Sequence, residues 1–365
     1  MMQHVVVYRE HGRFAGWPAN YGMWCWGDEL VVGFTAGAFK ADAGFHAKDA
    51  AQPFITMQAR SSDGGMTWNA QPMPCRTPGG RALSADEHVV DGMKVAEVLH
   101  GDDAPRPCPG DVDFTHPDFA LLCARSGLAA GAVSWFYLSA DRCRSWRGPY
   151  ALPMFGQAGI AARTDAVVLG PRSLLLLLTA AKPNGEEGRV FAARTDDGGR
   201  TFRFVAWVTP GPEGYTIMPA TARLSSGRLV TAVRCAGPRE RVGPYWIDVY
   251  ASDDEGASWG WLSAPVRSAG AYGNPPALML LRDGRLCLTY GRREAPFGIR
   301  ARLSADGGAT WGAEIVLRDD GGDPDLGYPR TAQRADGALV TVYYFNDRPD
   351  GERYIGATIW RPPDD

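Results

Sequence analysis

Titratable side chains cluster in one short stretch of this sequence, Asp113-Phe114-Thr115-His116-Pro117-Asp118. Two carboxylates flanking an imidazole could transfer protons or bind a divalent cation. On an extended strand, neighbouring side chains point to opposite faces, which weakens the metal interpretation. The ordinary alternative is a turn that caps His116, and this alternative is favoured. A binding role for His116 stays open at this stage.

Other chemistries lack the residues that they need. The 365-residue chain has no glycine-rich phosphate loop opening a helix and no recognisable metal-ligand spacing, so we expect no cofactor and no metal ion. Seven scattered cysteines contain no Cys-x-x-Cys pair, which favours free thiols over a disulfide framework or a zinc site.

Charge and hydropathy exclude two kinds of partner. A formal net charge of -3 argues against a nucleic acid held by bulk charge. No apolar run approaches the roughly 20 residues of a transmembrane helix, so we expect no membrane partner. The N-terminal residues show no secretory signal, which predicts a cytoplasmic protein, or a secreted one if a signal has been removed.

The elements that would position a site repeat along the chain. The pattern Ser/Thr-x-Asp-x-Gly-x-Ser/Thr-Trp/Phe occurs at 61–68, 139–146, 195–202, 252–259 and 304–311, with Cys143 in the glycine position of the second copy. Its Asp and Ser/Thr side chains can bond nearby backbone groups and close a turn. We therefore assign these five boxes a structural role and no catalysis.

A second pattern, strand, tight hairpin, strand, begins each unit. It is clear at 218–230, 275–286 and 328–340 and weaker near 17, 116 and 162. Six units of roughly fifty residues predict an all-β, six-bladed β-propeller, a single domain over 1–365. The sixth unit lacks a strand, which we expect the N-terminal segment 4–8 to supply, closing the ring. Residues 74–110 do not fit the repeat and are interpreted as an insertion between the first two blades.

Five boxes on a six-unit chain resemble the Asp-box propellers of the sialidase (neuraminidase) superfamily, and the resemblance covers nearly the whole chain. It implies a retaining exo-glycosidase that removes terminal sialic acid with a tyrosine nucleophile. A neutral phenol suits this role because the anomeric carbon of a sialoside carries a carboxylate. Three arginines would bind that carboxylate, and an aspartate on a loop would act as general acid and then base.

The resemblance carries over to individual positions. Tyr328, nine residues before Gly337 in the last unit, corresponds to the nucleophile. Arg234 corresponds to the second arginine, because it follows the hairpin glycine of the fourth unit by seven residues. Arg292, in the fifth unit, is the candidate for the third arginine.

The remaining roles match less well. Gly16-Trp17-Pro18 stands where the family has Arg-Ile-Pro, so Arg13 and Arg163 are equal candidates for the first arginine. In the loop 37–52, Asp49 is the acid/base candidate, and His46 could tune it or replace it. The family places a glutamate beside the tyrosine where this chain has Met218, and Glu213 is the nearest substitute.

These departures leave three functions open. The first is a divergent sialidase-like hydrolase of sialylated glycans. The second is a hydrolase or lyase on the same scaffold that acts on another acidic, uronate-type glycan. The third is a non-catalytic propeller that binds a carbohydrate or a protein at its axis.

Overall fold

A computed structural model describes residues 2–77, 104–238 and 244–363 of this chain. Six antiparallel sheets follow one another along the sequence, and each is one blade of a propeller. A single helical turn, α1 (Pro18–Tyr21), is the one α-helix in these residues. The predicted all-β, six-bladed propeller is therefore confirmed.

The first strand, β1 (Gln3–Tyr8), is described with the last blade. Blade 1 comprises β2 (Arg13–Gly16), β3 (Met23–Trp26), β4 (Glu29–Ala38), β5 (Ile55–Ser61) and β6 (Asn69–Pro72). Blade 2 has three strands in the described residues, β7 (Ala120–Arg125), β8 (Ser134–Ser139) and β9 (Arg147–Ala151). The insertion predicted at 74–110 falls largely on residues 78–103, outside the described part of the chain, and stays a prediction.

Blades 3 and 4 have their inner strands at β10 and β15. Blade 3 comprises β10 (Ile160–Ala161), β11 (Ala166–Gly170), β12 (Ser173–Ala181), β13 (Glu187–Thr195) and β14 (Arg203–Trp207). Blade 4 comprises β15 (Tyr215–Arg223), β16 (Leu229–Ala236), β17 (Tyr245–Ser252) and β18 (Gly260–Val266). The run Leu174–Leu178 on β12 is buried throughout, because neighbouring blades cover both faces of this sheet.

Blades 5 and 6 lead back to the N-terminus. Blade 5 comprises β19 (Ala277–Leu280), β20 (Leu286–Arg292), β21 (Gly298–Ser304) and β22 (Ile315–Arg318). Blade 6 comprises β23 (Gly327–Gln333), β24 (Leu339–Phe345) and β25 (Tyr354–Trp360). Strand β1 pairs antiparallel with β25, so that both ends of the chain lie in one blade and the edge of β25 is covered.

The five Asp boxes form turns with one shared geometry. In each, the aspartate accepts hydrogen bonds from the amide and the hydroxyl of the Ser/Thr four residues later, at 2.9 and 2.6 Å for Asp63 and Thr67. These bonds lower the pKa of Asp306 to about 2. The box serine or threonine accepts the amide of the glycine position, which has a positive φ even where Cys143 occupies it.

One half-buried arginine ties three blades together near the axis. The Nη2 of Arg330, on β23, donates to the carbonyl oxygens of Ala19 at 2.7 Å and Thr164 at 2.6 Å. Those carbonyls belong to α1 and to the segment before β11. The arginine therefore links blade 6 to blades 1 and 3, and it serves the scaffold.

Candidate active site

Three positions at the inner strands share an unusual backbone. Trp17, Met218 and Tyr328 each precede a proline and have φ values of 61°, 54° and 50°. The residue just before each of them pairs with the next strand at the same relative position in its blade, as Gly16 does with Thr35. A non-glycine residue in the left-handed region is uncommon, and such irregularities redirect side chains near functional sites.

Trp17 and Tyr328 line a cavity of about 460 Å³, which we call the axial cavity. Four cationic side chains line it, namely Lys48, Arg125, Arg163 and Arg234. Two carboxylates, Glu186 and Glu187, face the same space. The described lining thus carries an excess of two positive charges (four minus two), which favours an anionic ligand.

Arg234 and Tyr328 are in direct contact. The Nη1 of Arg234 donates to the phenolic oxygen of Tyr328 at 3.2 Å, and its Nη2 donates to the carbonyl oxygen of Tyr272. The amide of Tyr328 donates in turn to Oδ1 of the fully buried Asn274 at 2.9 Å. Backbone and side chain of Tyr328 are both held in place, with the phenol presented to the cavity.

The third arginine of the prediction, Arg292, does not line the axial cavity. Its guanidinium lies 3.4 Å from Glu314, outside the site. The next residue, Arg293, is 3% exposed, and its Cζ lies 5.6 Å from the centre of the Tyr328 ring. Arg293 does not line the axial cavity either, because its guanidinium donates to the Tyr344 hydroxyl and to two backbone carbonyl oxygens.

Arg163 is the candidate for the first arginine that lies in the cavity. Its Nη1 is 2.5 Å from Glu187, and its Nε donates to Asn20 at 3.2 Å. Arg13 is not among the residues that line the cavity, and its side chain interacts with Tyr8. The carboxylate of Glu187 fixes the direction of Arg163 and takes part of its charge.

Arg125 is a cavity residue that sequence reasoning missed. It lies at the end of β7, 1% exposed, and its Nη1 contacts the Ala162 carbonyl at 3.5 Å. Arg125 lies five residues after the residue that pairs with the box serine of its blade. Arg234 has the same spacing in blade 4. That register was a usable signal, because equivalent positions on equivalent strands approach the axis together.

His46 enters the axial cavity with a buried carboxylate behind it. Its Nδ1 lies 2.7 Å from Asp325, which also accepts hydrogen bonds from Tyr344 at 2.6 Å and Arg353 at 2.8 Å. Burial lowers the pKa of His46, although Asp325 acts in the opposite direction. Burial alone would raise the pKa of Asp325, but His46 and the nearby guanidinium of Arg353 lower it, so this residue is ionised.

Two more predicted site residues, Asp49 and Glu213, lie outside the axial cavity. Asp49 does not line the axial cavity, and its carboxylate accepts the amide of Ala51 at 3.1 Å. The same loop instead directs His46 and Lys48 inward. Glu213 is exposed and lines a neighbouring cavity without contacting the phenol.

His116 belongs to a turn away from the axial cavity. Its Nδ1 accepts the amide of Asp118 at 3.1 Å, and its own amide donates to the carbonyl of Asp113 at 3.3 Å. The carboxylate of Asp113 accepts from Thr115, so this stretch is held by its own residues. The favoured turn interpretation describes this geometry.

In the part of the chain that the structure describes, no group of three His, Cys, Asp or Glu side chains could hold a metal ion. Within the same residues, no helix has the length and apolar character to cross a membrane.

Comparison with known proteins finds solved structures that share this fold. No protein-family model and no curated protein sequence matches this chain. A solved protein of unknown function from Dyadobacter fermentans is 23% identical, with a TM-score of 0.74, and the match covers 99% of both chains. A Hadza microbial sialidase, Hz136, is 14% identical with a TM-score of 0.63, covering 95% of this chain and 66% of the sialidase.

A third solved structure broadens the picture. The α-L-arabinanase of Penicillium chrysogenum, complexed with arabinobiose, is 15% identical with a TM-score of 0.60, covering 98% of this chain and 97% of the arabinanase. At such low identity these likenesses show a shared fold. The chain is a six-bladed propeller of the architecture found in sialidases and arabinanases.

Proposed function

We propose that this protein is a propeller glycosidase that removes a carboxylate-bearing sugar from the end of a glycan, with sialic acid as the first candidate. The observation that carries the proposal is the 3.2 Å hydrogen bond from Arg234 to Tyr328 inside a cavity lined by four cations. A phenol beside a guanidinium can attack a carbon whose substituent is a carboxylate, whereas a carboxylate nucleophile would be repelled.

Arginines would bind the sugar carboxylate. Arg234, Arg125 and Arg163 all face the axial cavity and are at most 8% exposed. Buried guanidinium groups are strong, directional partners for a carboxylate, because each can donate two parallel hydrogen bonds. Arg163 pairs with Glu187 and Arg234 with Tyr328, and these contacts hold the two guanidinium groups in direction for the sugar carboxylate.

The His46–Asp325 couple would replace the glutamate that is missing beside the tyrosine. Met218 occupies the family's glutamate position and offers no base. Asp325 orients His46 through Nδ1, leaving Nε2 free in this couple to accept the phenolic proton as Tyr328 attacks the anomeric carbon. As the glycosidic bond breaks, Glu186 is the cavity carboxyl group that would protonate the leaving oxygen.

A lyase acting on a uronate-type glycan is the second candidate, and Met218 favours it. Elimination needs no glutamate to activate a nucleophile. Arginines would neutralise the uronate carboxylate and make the neighbouring C–H proton more acidic, and His46 or Tyr328 would remove that proton. The leaving oxygen would take its proton from Glu186, as in the hydrolytic route.

The test uses a fluorogenic α-sialoside beside a matching fluorogenic uronide, between pH 4 and pH 8. We expect release from the sialoside, reduced at least about a thousandfold in Tyr328→Phe. Tyr8→Phe is the matched control, because that phenol bonds the exposed Glu10 outside the site. Cleavage of a uronate oligosaccharide with the ultraviolet absorbance of an unsaturated product would establish the lyase instead. Full activity of Tyr328→Phe on either substrate would contradict the assigned role of the phenol.

A further inference from the structure

Two more cavities continue from the axial cavity towards the outer part of blade 3. The first, which we call the middle cavity, has a volume of about 450 Å³ and shares Glu186, Glu187 and Tyr215 with the axial cavity. The second, the distal cavity, has about 330 Å³ and shares Lys182 with the middle cavity. The shared residues place the three cavities next to one another, and we call the three together the trough.

The middle cavity is acidic. Glu186, Glu187 and Glu213 line it, while the cation that it contains, Lys182, is 9% exposed. The ammonium group of Lys182 already donates to the carbonyl oxygens of Glu213 and Gly214. Glu187 pairs with Arg163, so a sugar that occupies this cavity would meet the exposed carboxylate of Glu213, which disfavours a second carboxylate and suits an uncharged unit.

The distal cavity is mainly apolar and has an aromatic wall. Trp207 lines it and is supported from behind by Phe191 and Phe204, with ring centroids at 5.9 and 5.3 Å. The guanidinium carbon of Arg189 lies 4.0 Å from the Trp207 ring centre, and its Nε donates to the carbonyl of Thr209 at 3.0 Å. The guanidinium lies over the indole, so this wall presents N–H donors, held on an aromatic ring, to the hydroxyl groups of a sugar.

We infer that the trough binds two further sugar units of the substrate, an uncharged unit in the middle cavity and a unit that contacts Trp207 in the distal cavity. This inference rests on the proposed function, because it takes the axial cavity as the position of the terminal acidic sugar. The substrate class is then an oligosaccharide of at least three units, acidic at its end and neutral at the next unit. The adjoining order of the three cavities supports a glycan chain as the single occupant.

The experiment compares a short and a long substrate with one acidic end. Values of kcat/KM are measured for a methylumbelliferyl sialoside and for sialyllactose, which adds two neutral sugars. We expect Trp207→Ala to lower kcat/KM for sialyllactose about three- to tenfold while the aryl sialoside changes less than twofold. Trp261→Ala, at an indole that is 61% exposed on blade 4, is the matched control and should change neither value.

Two further variants test the assignment without removing the indole. Arg189→Gln, which keeps the aromatic wall, should show the same selective loss to a smaller degree. Glu213→Gln should improve cleavage of a sialic acid dimer, whose second unit is acidic, without improving cleavage of sialyllactose. Equal losses on short and long substrates, or no loss on sialyllactose, would overturn the inference.

If neither fluorogenic sugar is cleaved, the proposed function fails and the trough is tested by binding. Isothermal titration calorimetry then compares wild-type protein and Trp207→Ala with sialyllactose and with a chondroitin tetrasaccharide. Weaker binding of either oligosaccharide by the variant supports the trough without turnover. Equal affinities, or no binding by the wild type, would overturn it.

Discussion

The Asp-box turns and the pre-proline positions at the axis both recur from blade to blade, but they differ in which properties recur. In the boxes at Asp63 and Asp306, the carboxylates make the same two bonds at the same 2.9 and 2.6 Å. At the axis, Trp17, Met218 and Tyr328 share a left-handed backbone and have three unrelated side chains. The boxes repeat both the residue type and the geometry, whereas the axial positions repeat only the backbone geometry.

This difference separates what holds the scaffold from what would act on a substrate. A box aspartate satisfies backbone groups of its own turn, so each of the five blades with a box has the same residue. A site at the axis binds one asymmetric ligand, so each blade contributes a different group to it. We therefore expect axial substitutions to affect activity at nearly constant stability, and box substitutions to affect stability at nearly constant activity.

Arg234→Lys should give the largest effect. Lysine keeps the charge and loses the planar fork that would bind a carboxylate while contacting Tyr328. We expect kcat/KM on the cleaved acidic substrate to fall about a hundredfold, with Tm close to that of the wild type.

Arg292→Lys is the control for that substitution. Its side chain pairs with Glu314 on the same blade and does not line the cavity, so we expect kcat/KM within twofold of the wild type. A loss in Arg292→Lys comparable to the loss in Arg234→Lys would remove the distinction between axial and peripheral arginines.

Asp325→Asn should give an intermediate effect and a shifted pH profile. As a base, His46 acts when neutral, so activity falls as pH decreases through its pKa, which burial places below the usual 6.5. The asparagine removes the carboxylate that raises this pKa, so the acidic limb should move to lower pH. We also expect kcat to fall by at least about tenfold, because the orientation of His46 is lost. The readout is the pH dependence of kcat/KM for both proteins.

The contrary outcome for this pair is specific. The couple would be excluded from proton transfer if the acidic limb stayed at its wild-type pH in Asp325→Asn and was still present in His46→Gln. Circular dichroism of both variants separates that result from unfolding, since Asp325 also pairs with the buried Arg353.

Asp306→Asn should give the smallest effect, confined to stability. The aspartate accepts from Ser304 and twice from Thr310, and its pKa is lowered from 3.8 to about 2. A lowered carboxyl pKa stabilises the fold above the unfolded value, and this contribution disappears as pH falls from about 4 to about 2. We expect Tm at neutral pH to fall by about 2–4 °C. The difference from wild type should shrink towards pH 2, with kcat/KM unchanged at neutral pH.

The resemblance to the sialidase superfamily, applied to spacings within the units, predicted Tyr328 and Arg234, and the structure brings these two residues into contact. Arg292 does not line the axial cavity, because spacing alone does not say whether a residue on an extended strand points inward. The identification of Arg125 required the pairing register of β7 with β8, which the pattern of residue types does not contain.

The sequence by itself determined the all-β architecture, because box and hairpin patterns act locally within each unit and recur at blade spacing. The tertiary structure alone decided which polar groups share the axial cavity. His46 and Asp325 are separated by 279 residues and meet at 2.7 Å, since the first and the last blades along the chain pack against each other. No local pattern of residues records a contact between elements so far apart in the sequence.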